Sequence, residues 1–132
     1  MELPLDHIGI AVPSIAAVLP IFEAIQGAKA TAPETVAAQH VNVAFLGSGS
    51  ASIELIEPTS EASTIHKFLE RRGAGLHHIA YRVTDIRAEL ARLAAAGYRL
   101  IDREPRPGAR GHQVAFLHPQ STNGVLIELV EG

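Results

Sequence analysis

The chain has 132 residues, 47% of them hydrophobic and 19% charged, with a formal net charge of −3. That is the length of one domain with enough apolar material for a core, and the charge balance signals neither nucleic acid nor a membrane surface as a partner. Cysteine is absent, which excludes disulfides, thiolate chemistry and the commonest structural zinc ligand.

Leu5 to Val12 is a short β-rich run that stops at Pro13-Ser14. Ile15 to Ile25 follows with helical spacing, Ile15, Val18, Leu19, Phe22 and Ile25 falling on one face, Ser14 as N-cap and Gly27 as stop. Ala28 to Ala38 is weakly patterned and reads as an edge strand with a loop. Val41 to Leu46 and Ala51 to Ile56 read as a hairpin around Gly47-Ser48-Gly49. Thr64 to Arg72 is a short linking helix closed by Gly73 and Gly75.

The order then repeats. Leu76 to Val83 is a strand, Thr84-Asp85 caps a helix over Ile86 to Ala96, and Gly97 stops it. Tyr98 to Asp102 reads as a strand and Pro105 to Gly111 as a loop. Gln113 to Leu117 and Val125 to Val130 form a hairpin around His118 to Gly124. No apolar run reaches the ~18 residues of a membrane helix, and no basic segment followed by an apolar one opens the chain. The expectation is a cytoplasmic protein with no membrane association.

The halves also repeat in detail. Asp6-His7-Ile8-Gly9-Ile10-Ala11-Val12 is echoed by His77-His78-Ile79-Ala80-Tyr81-Arg82-Val83, and Ser52-Ile53-Glu54-Leu55-Ile56-Glu57 by Leu126-Ile127-Glu128-Leu129-Val130-Glu131. Each half is therefore a βαβββ module, over about residues 4–58 and 75–131. A unit of ~60 residues is marginal alone, so the two should fold as one domain, 1–132, with joined sheets.

Strand alternation decides which side chains share a face. His7, Gly9 and Ala11 lie together, and so do His78, Ala80 and Arg82, which makes His78 rather than His77 the partner of His7. Glu54 and Glu128 each interrupt an apolar strand, where an uncompensated carboxylate would be costly. Taken singly, a strand His is more often structural and a strand Glu more often solvated. Four such residues at repeat-equivalent positions point instead to a divalent metal bound by His7, Glu54, His78 and Glu128. Nitrogen and oxygen donors without sulfur suit Co²⁺, Mn²⁺, Fe²⁺, Ni²⁺ or Zn²⁺. His118 and Ser121, in the polar loop, are candidate substrate contacts, with turn capping the bland reading of His118. Arg110, with Arg103 and Arg106 on a Gly/Pro loop, is a candidate for a phosphate-bearing substrate, with solvated charge as the default. His40, His66 and His112 have no repeat partners and are read as surface residues.

At these residues the chain resembles the vicinal oxygen chelate superfamily and, within it, the methylmalonyl-CoA epimerases. The resemblance runs nearly end to end. Its most discriminating part is Val114-Ala115-Phe116-Leu117-His118-Pro119 followed by Asn123-Gly124-Val125-Leu126-Ile127-Glu128-Leu129. It implies an α+β fold of paired βαβββ modules forming a curved mixed sheet around a metal cleft. It implies an epimerase acting on an acyl-CoA through an enolate, with one divalent metal, cobalt foremost, in a homodimer. Glu128 matches one of the acid/base pair. Some relatives carry the second on the strand matching Val41 to Phe45, which has no carboxylate here; Glu54 is the candidate, with water or His40 behind it. Gln120 also departs from the Lys that many relatives carry after the His-Pro. A glyoxalase-type lyase would use the same four ligands. A metal-free binding module usually presents aromatics for stacking, and an aromatic content of 5% counts against it.

Overall fold

The computed structural model describes residues 2–47 and 51–132. Its strands are β1 (Leu5–Ala11), β2 (Glu34–Val36), β3 (Val41–Leu46), β4 (Ser52–Pro58), β5 (Gly75–Arg82), β6 (Arg106–Pro107), β7 (Gln113–Leu117) and β8 (Ile127–Glu131). Its helices are α1 (Ile15–Gln26), α2 (Thr64–Arg72) and α3 (Ile86–Ala95). Each half follows the βαβββ order that the repeat implies. The chain clusters into two compact units, one of His7–His77 and the other of His78–Gly132 together with Met1–Asp6.

In the first unit the strands run in the order β2-β3-β4-β1. β1 is parallel to β4, and β4 and β2 are antiparallel to β3. The register sets His7 beside Ser52, Gly9 beside Glu54 and Ala11 beside Ile56, then Glu54 opposite Phe45 and Ile56 opposite Val43. One face therefore carries His7 and Glu54. The other carries Leu55, Ala44 and Leu46, which pack with Val12, Ile15, Val18, Leu19 and Phe22 under α1. Leu46 and Leu55 are fully buried; each contributes about 2–3 kcal/mol of apolar burial. Pro20 lies inside α1 and deprives it of one backbone donor, yet the helix runs on to Gln26.

The second unit repeats the plan in the order β5-β8-β7-β6. Ala80 pairs with Glu128, and Glu128 with Phe116. Leu129, Ala115, Val83, Ile86 and Leu90 form the core under α3, and Leu3 packs against it. The Arg82 amide donates to the Pro4 carbonyl (2.9 Å), and Asp6 lies 3.3 Å from Arg82 Nε and 3.8 Å from Arg110 Nη2.

Helix entry is governed alike in both units. Ser14 and Asp85 cap α1 and α3 through their side chains. A second cap comes from the last strand of each module: the Ile15 amide donates to Glu57 (2.6 Å) and the Ile86 amide to Glu131 (2.7 Å). Glu57 also accepts from Asn42 (3.0 Å), and the Thr35 hydroxyl donates to Asn42 (2.6 Å). A polar ladder thus crosses β2, β3 and β4 on the helix side of the first sheet. Gly27, at φ 74, ends α1 in the left-handed region.

The structure departs from the expected elements in the second module. Tyr98 to Asp102 is not a strand; it contributes only an isolated bridge, Leu100 to Leu117. The counterpart of β2 is β6, inside the segment expected to be a loop. The reason lies in Asp102. Its carboxylate accepts the Phe116 amide (2.9 Å), while the Ile101 and Asp102 amides both donate to the Phe116 carbonyl. A side chain thus takes the place of a ladder bond. Thr31 does the same in the first module, donating its amide to the Phe45 carbonyl and accepting the Phe45 amide on its hydroxyl (2.9 Å). The last strand begins at Ile127 rather than Val125, because residues 119–124 close 3₁₀-type bonds. Of the expected first hairpin turn, Ser48 and Gly49 lie outside the described residues.

Because Glu57 and Glu131 tie each last strand to a helix N-terminus, Glu57→Ala and Glu131→Ala should each destabilise the fold by about 1–2 kcal/mol. Urea denaturation reads this as a lower midpoint at unchanged slope; an unmoved midpoint would show that the caps contribute nothing.

Candidate metal centre

Two imidazole–carboxylate pairs are buried, one in each unit. In the first, His7 Nε2 lies 3.4 Å from Glu54 Oε1, and the residues are 4% and 7% exposed. In the second, His78 Nε2 lies 3.1 Å from Glu128 Oε1, at 5% and 6%. Each His comes from the first strand of its module and each Glu from the last.

The surroundings repeat as well. Phe45 meets the His7 ring edge-on at 5.8 Å, and Phe116 meets His78 in the same way at 5.9 Å. These contacts fix the ring planes and leave each Nε2 toward its carboxylate. Ala80, Val114, Phe116 and Val130 form a second cluster of the second unit, on the face that bears Glu128. A carboxylate in such surroundings needs a hydrogen-bond donor or a cation. In each pair the imidazole nitrogen and the carboxylate oxygen are donors of the kind that a divalent ion preferring nitrogen and oxygen takes.

His77, the neighbour set aside by alternation, packs edge-on against Phe68 of α2 at 4.9 Å. His118 Nδ1 accepts the Gln120 amide (3.0 Å), capping the 3₁₀ turn over Pro119–Ser121. Ser121 Oγ accepts the Arg99 amide (2.8 Å). Both polar-loop candidates thus carry structural hydrogen bonds. Arg110 sits in a 3₁₀ turn at φ 59 with its guanidinium near Asp6. His40 takes up the same left-handed conformation, at φ 53, in the corresponding β2–β3 connection. Its side chain is exposed, in keeping with a surface residue. His66 lies 3.6 Å from Glu70 one turn on.

Arg106, read only as one of three loop arginines, has contacts of its own. It begins β6 opposite Val114, its guanidinium is 5.2 Å from the centre of the Phe116 ring, and its Nε is 3.4 Å from Asp102. The signal was Phe116, whose ring attracts a cation.

Residues 6–116 match the family described as the glyoxalase/bleomycin resistance protein/dioxygenase superfamily. The uncharacterized protein YqjC of Bacillus subtilis is 49% identical over 96% of this chain and 91% of its own length. The ethylmalonyl-CoA/methylmalonyl-CoA epimerase of Cereibacter sphaeroides is 42% identical over 95% of each chain. A solved structure of a single-residue variant of the Streptomyces coelicolor methylmalonyl-CoA epimerase, in complex with 2-nitronate-propionyl-CoA, superposes with a TM-score of 0.94 at 36% identity, covering 99% of this chain and 96% of that one.

The pairing has a measurable energetic signature in protein stripped of metal. His78→Leu leaves the Glu128 carboxylate buried without its imidazole and should cost about 3–5 kcal/mol. Adding Glu128→Leu should recover most of that loss, and a double variant no more stable than the single one would overturn the assignment.

Proposed function

The chain belongs to the glyoxalase/bleomycin resistance protein/dioxygenase superfamily and, within it, to the methylmalonyl-CoA epimerase family, and from that premise we propose that it interconverts the (2R) and (2S) forms of methylmalonyl-CoA with the help of one divalent metal ion. The observation that carries the proposal is the doubled His–Glu pair, buried at equivalent positions of two modules.

The reaction breaks the C–H bond at C2, between the thioester and the carboxylate, and the electron pair passes to the thioester oxygen. The product is a planar enolate. Return of a proton to the opposite face completes the epimerisation with no net change in composition. The relative from Streptomyces coelicolor was solved with 2-nitronate-propionyl-CoA, whose flat nitronate anion matches such an enolate in shape and charge.

His7, Glu54, His78 and Glu128 are the proposed ligands. A divalent cation, cobalt foremost with Mn²⁺, Ni²⁺, Zn²⁺ and Fe²⁺ as alternatives, would supply the positive charge that stabilises the enolate. Phe45 and Phe116 hold the two imidazoles in position, and Gly9 and Ala80 leave space beside them. Glu128 serves as acid/base on one face of the substrate. The second acid/base is a carboxylate of the first module, for which Glu54 is the repeat-related candidate. His118, Ser121 and Arg110 are proposed substrate contacts, Arg110 through a phosphate of the CoA.

The two modules are proposed to act as one domain, in the cytoplasm and as a homodimer. Among the described residues no helix is long and apolar enough to cross a membrane. Exposed Ile21 and Ile25 on α1 are surface that a second copy would cover.

Epimerisation should fall to background after chelation and return when Co²⁺ is added. Glu128→Gln should lower turnover by about 10²–10⁴-fold under excess metal. Glu54→Gln that keeps its metal and near-normal turnover would assign Glu54 to ligation alone. A metal-loaded wild type that leaves methylmalonyl-CoA unchanged would overturn the function itself.

A further inference from the structure

Epimerisation requires proton transfer at both faces of a planar enolate, and the register of the first sheet supplies a carboxylate for the second face beyond those already described. Glu34 opens β2 directly opposite Val43. Val43 lies opposite Ile56, and Ile56 beside Ala11. Directly paired residues share a face, and residues two apart on a strand do so too. Glu34 is therefore on the face that bears Phe45, Glu54, Gly9 and His7.

The next residue along gives an independent check. Thr35 faces the helix side, where its hydroxyl donates to Asn42, which donates in turn to Glu57. Strand alternation then directs Glu34 to the opposite side. Most of the rest of that face is apolar and buried: Val36, Val41, Val43, Phe45, Ile56 and Ala11 are each 7% exposed or less, with Ser52 a buried hydroxyl beside His7. Among the described strand residues of the first unit, the titratable groups on the face are His7, Glu54 and Glu34.

We infer that Glu34 is a further catalytic residue, the acid/base that exchanges a proton with C2 of the substrate on the face that Glu128 does not serve. The inference rests on the epimerase reading and refines its second acid/base. Glu54, 3.4 Å from His7 Nε2, is kept as a proposed ligand, and Glu34 supplies the carboxylate of the first module that the ligand set does not use. Glu34 is two strands away and two residue pairs along, placing its Cα about 12 Å from that of Glu54. A Glu side chain reaches roughly 4 Å, so a substrate carbon bound beside Glu54 lies within reach of the Glu34 carboxylate. Glu34 is only half-buried, so a proton it takes up can pass to solvent. When one epimer reacts, the C2 proton moves to Glu34 and Glu128 returns one to the other face; for the other epimer the roles reverse.

The repeat sharpens the point. The residue opposite Val114, which corresponds to Val43, is Arg106. The equivalent edge position thus carries a carboxylate in one module and a guanidinium in the other. The ligand pairs keep the symmetry, and this position breaks it.

The test follows deuterium uptake from D₂O into single epimers of methylmalonyl-CoA with metal-loaded protein, alongside metal content per chain. Glu34→Gln should keep full metal content, lose at least ~10²-fold in inversion, and still exchange the C2 proton of one epimer. Should that variant fail to fold, Glu34→Asp decides: the carboxylate drawn back by one methylene should give the same one-sided pattern with a smaller loss. Inversion within a few-fold of wild type in the folded variant, or equal loss of exchange from both epimers, would overturn the assignment. A wild type without turnover would instead remove the parent reading, and this inference with it.

Discussion

A carboxylate placed in the middle of an apolar strand is the constraint on which the two modules are organised. Glu54 and Glu128 are each hemmed in by aliphatic neighbours and all but removed from solvent. Such a group is tolerated only if a positive or hydrogen-bonding partner is brought to it. In each unit that partner is an imidazole from the parallel strand next to it, and the phenylalanine opposite the glutamate holds the imidazole in place. Stability and chemistry make different demands on this arrangement. An aliphatic pair of similar volume would satisfy the fold at least as well. The proposed ligation would account for keeping four ionisable groups, one His–Glu pair in each unit.

Much of this was legible in the residues themselves. The two His strands and the two Glu strands stand out because short apolar runs with one polar interruption occur twice in the same order. Helix ends were marked by Ser14, Asp85 and Gly27, whose side chains or backbone freedom serve a terminus and little else. What could not be read was mostly the work of side chains that imitate backbone. Asp102 and Thr31 each replace a rung of the ladder, so an extended segment that looks like a strand in composition fails to be one, and pairing moves on to Arg106–Pro107. His118 and Ser121 look like substrate-facing polar residues but also serve as acceptors in their own loop. Glu34 escaped notice, and Arg106 was read only as one of three loop arginines, because the two correspond in the repeat but not in residue type, and because strands of three and two residues are too short to show alternation.

The duplicated module therefore has two layers. An inner layer of His, Glu and Phe is copied almost without change, and it sets the two His–Glu pairs. An outer layer on the edge strands and their connections has diverged: Glu34 against Arg106, Thr31 against Asp102. Divergence at the rim of a shared plan would let two similar modules make different contacts with the proposed substrate, whose C2 carries a proton, a methyl group, a carboxylate and a thioester at once.

The first residues of the chain belong with its last module. Leu3 packs in the core under α3, Pro4 accepts a bond from Arg82, and Asp6 lies against Arg82 and Arg110, while His7 onward is built into the first unit. On the ribosome, Pro4 emerges long before Arg82 exists to meet it; at ~5–20 residues per second the wait is several seconds. Until then β1 can form only from its C-terminal part, and the segment ahead of it stays an open end. The two gene halves consequently cannot be separated at the linker after α2 without stranding part of one module in the other. A circularly permuted chain starting at that linker would place Leu3–Asp6 directly after the module they complete and shorten the delay.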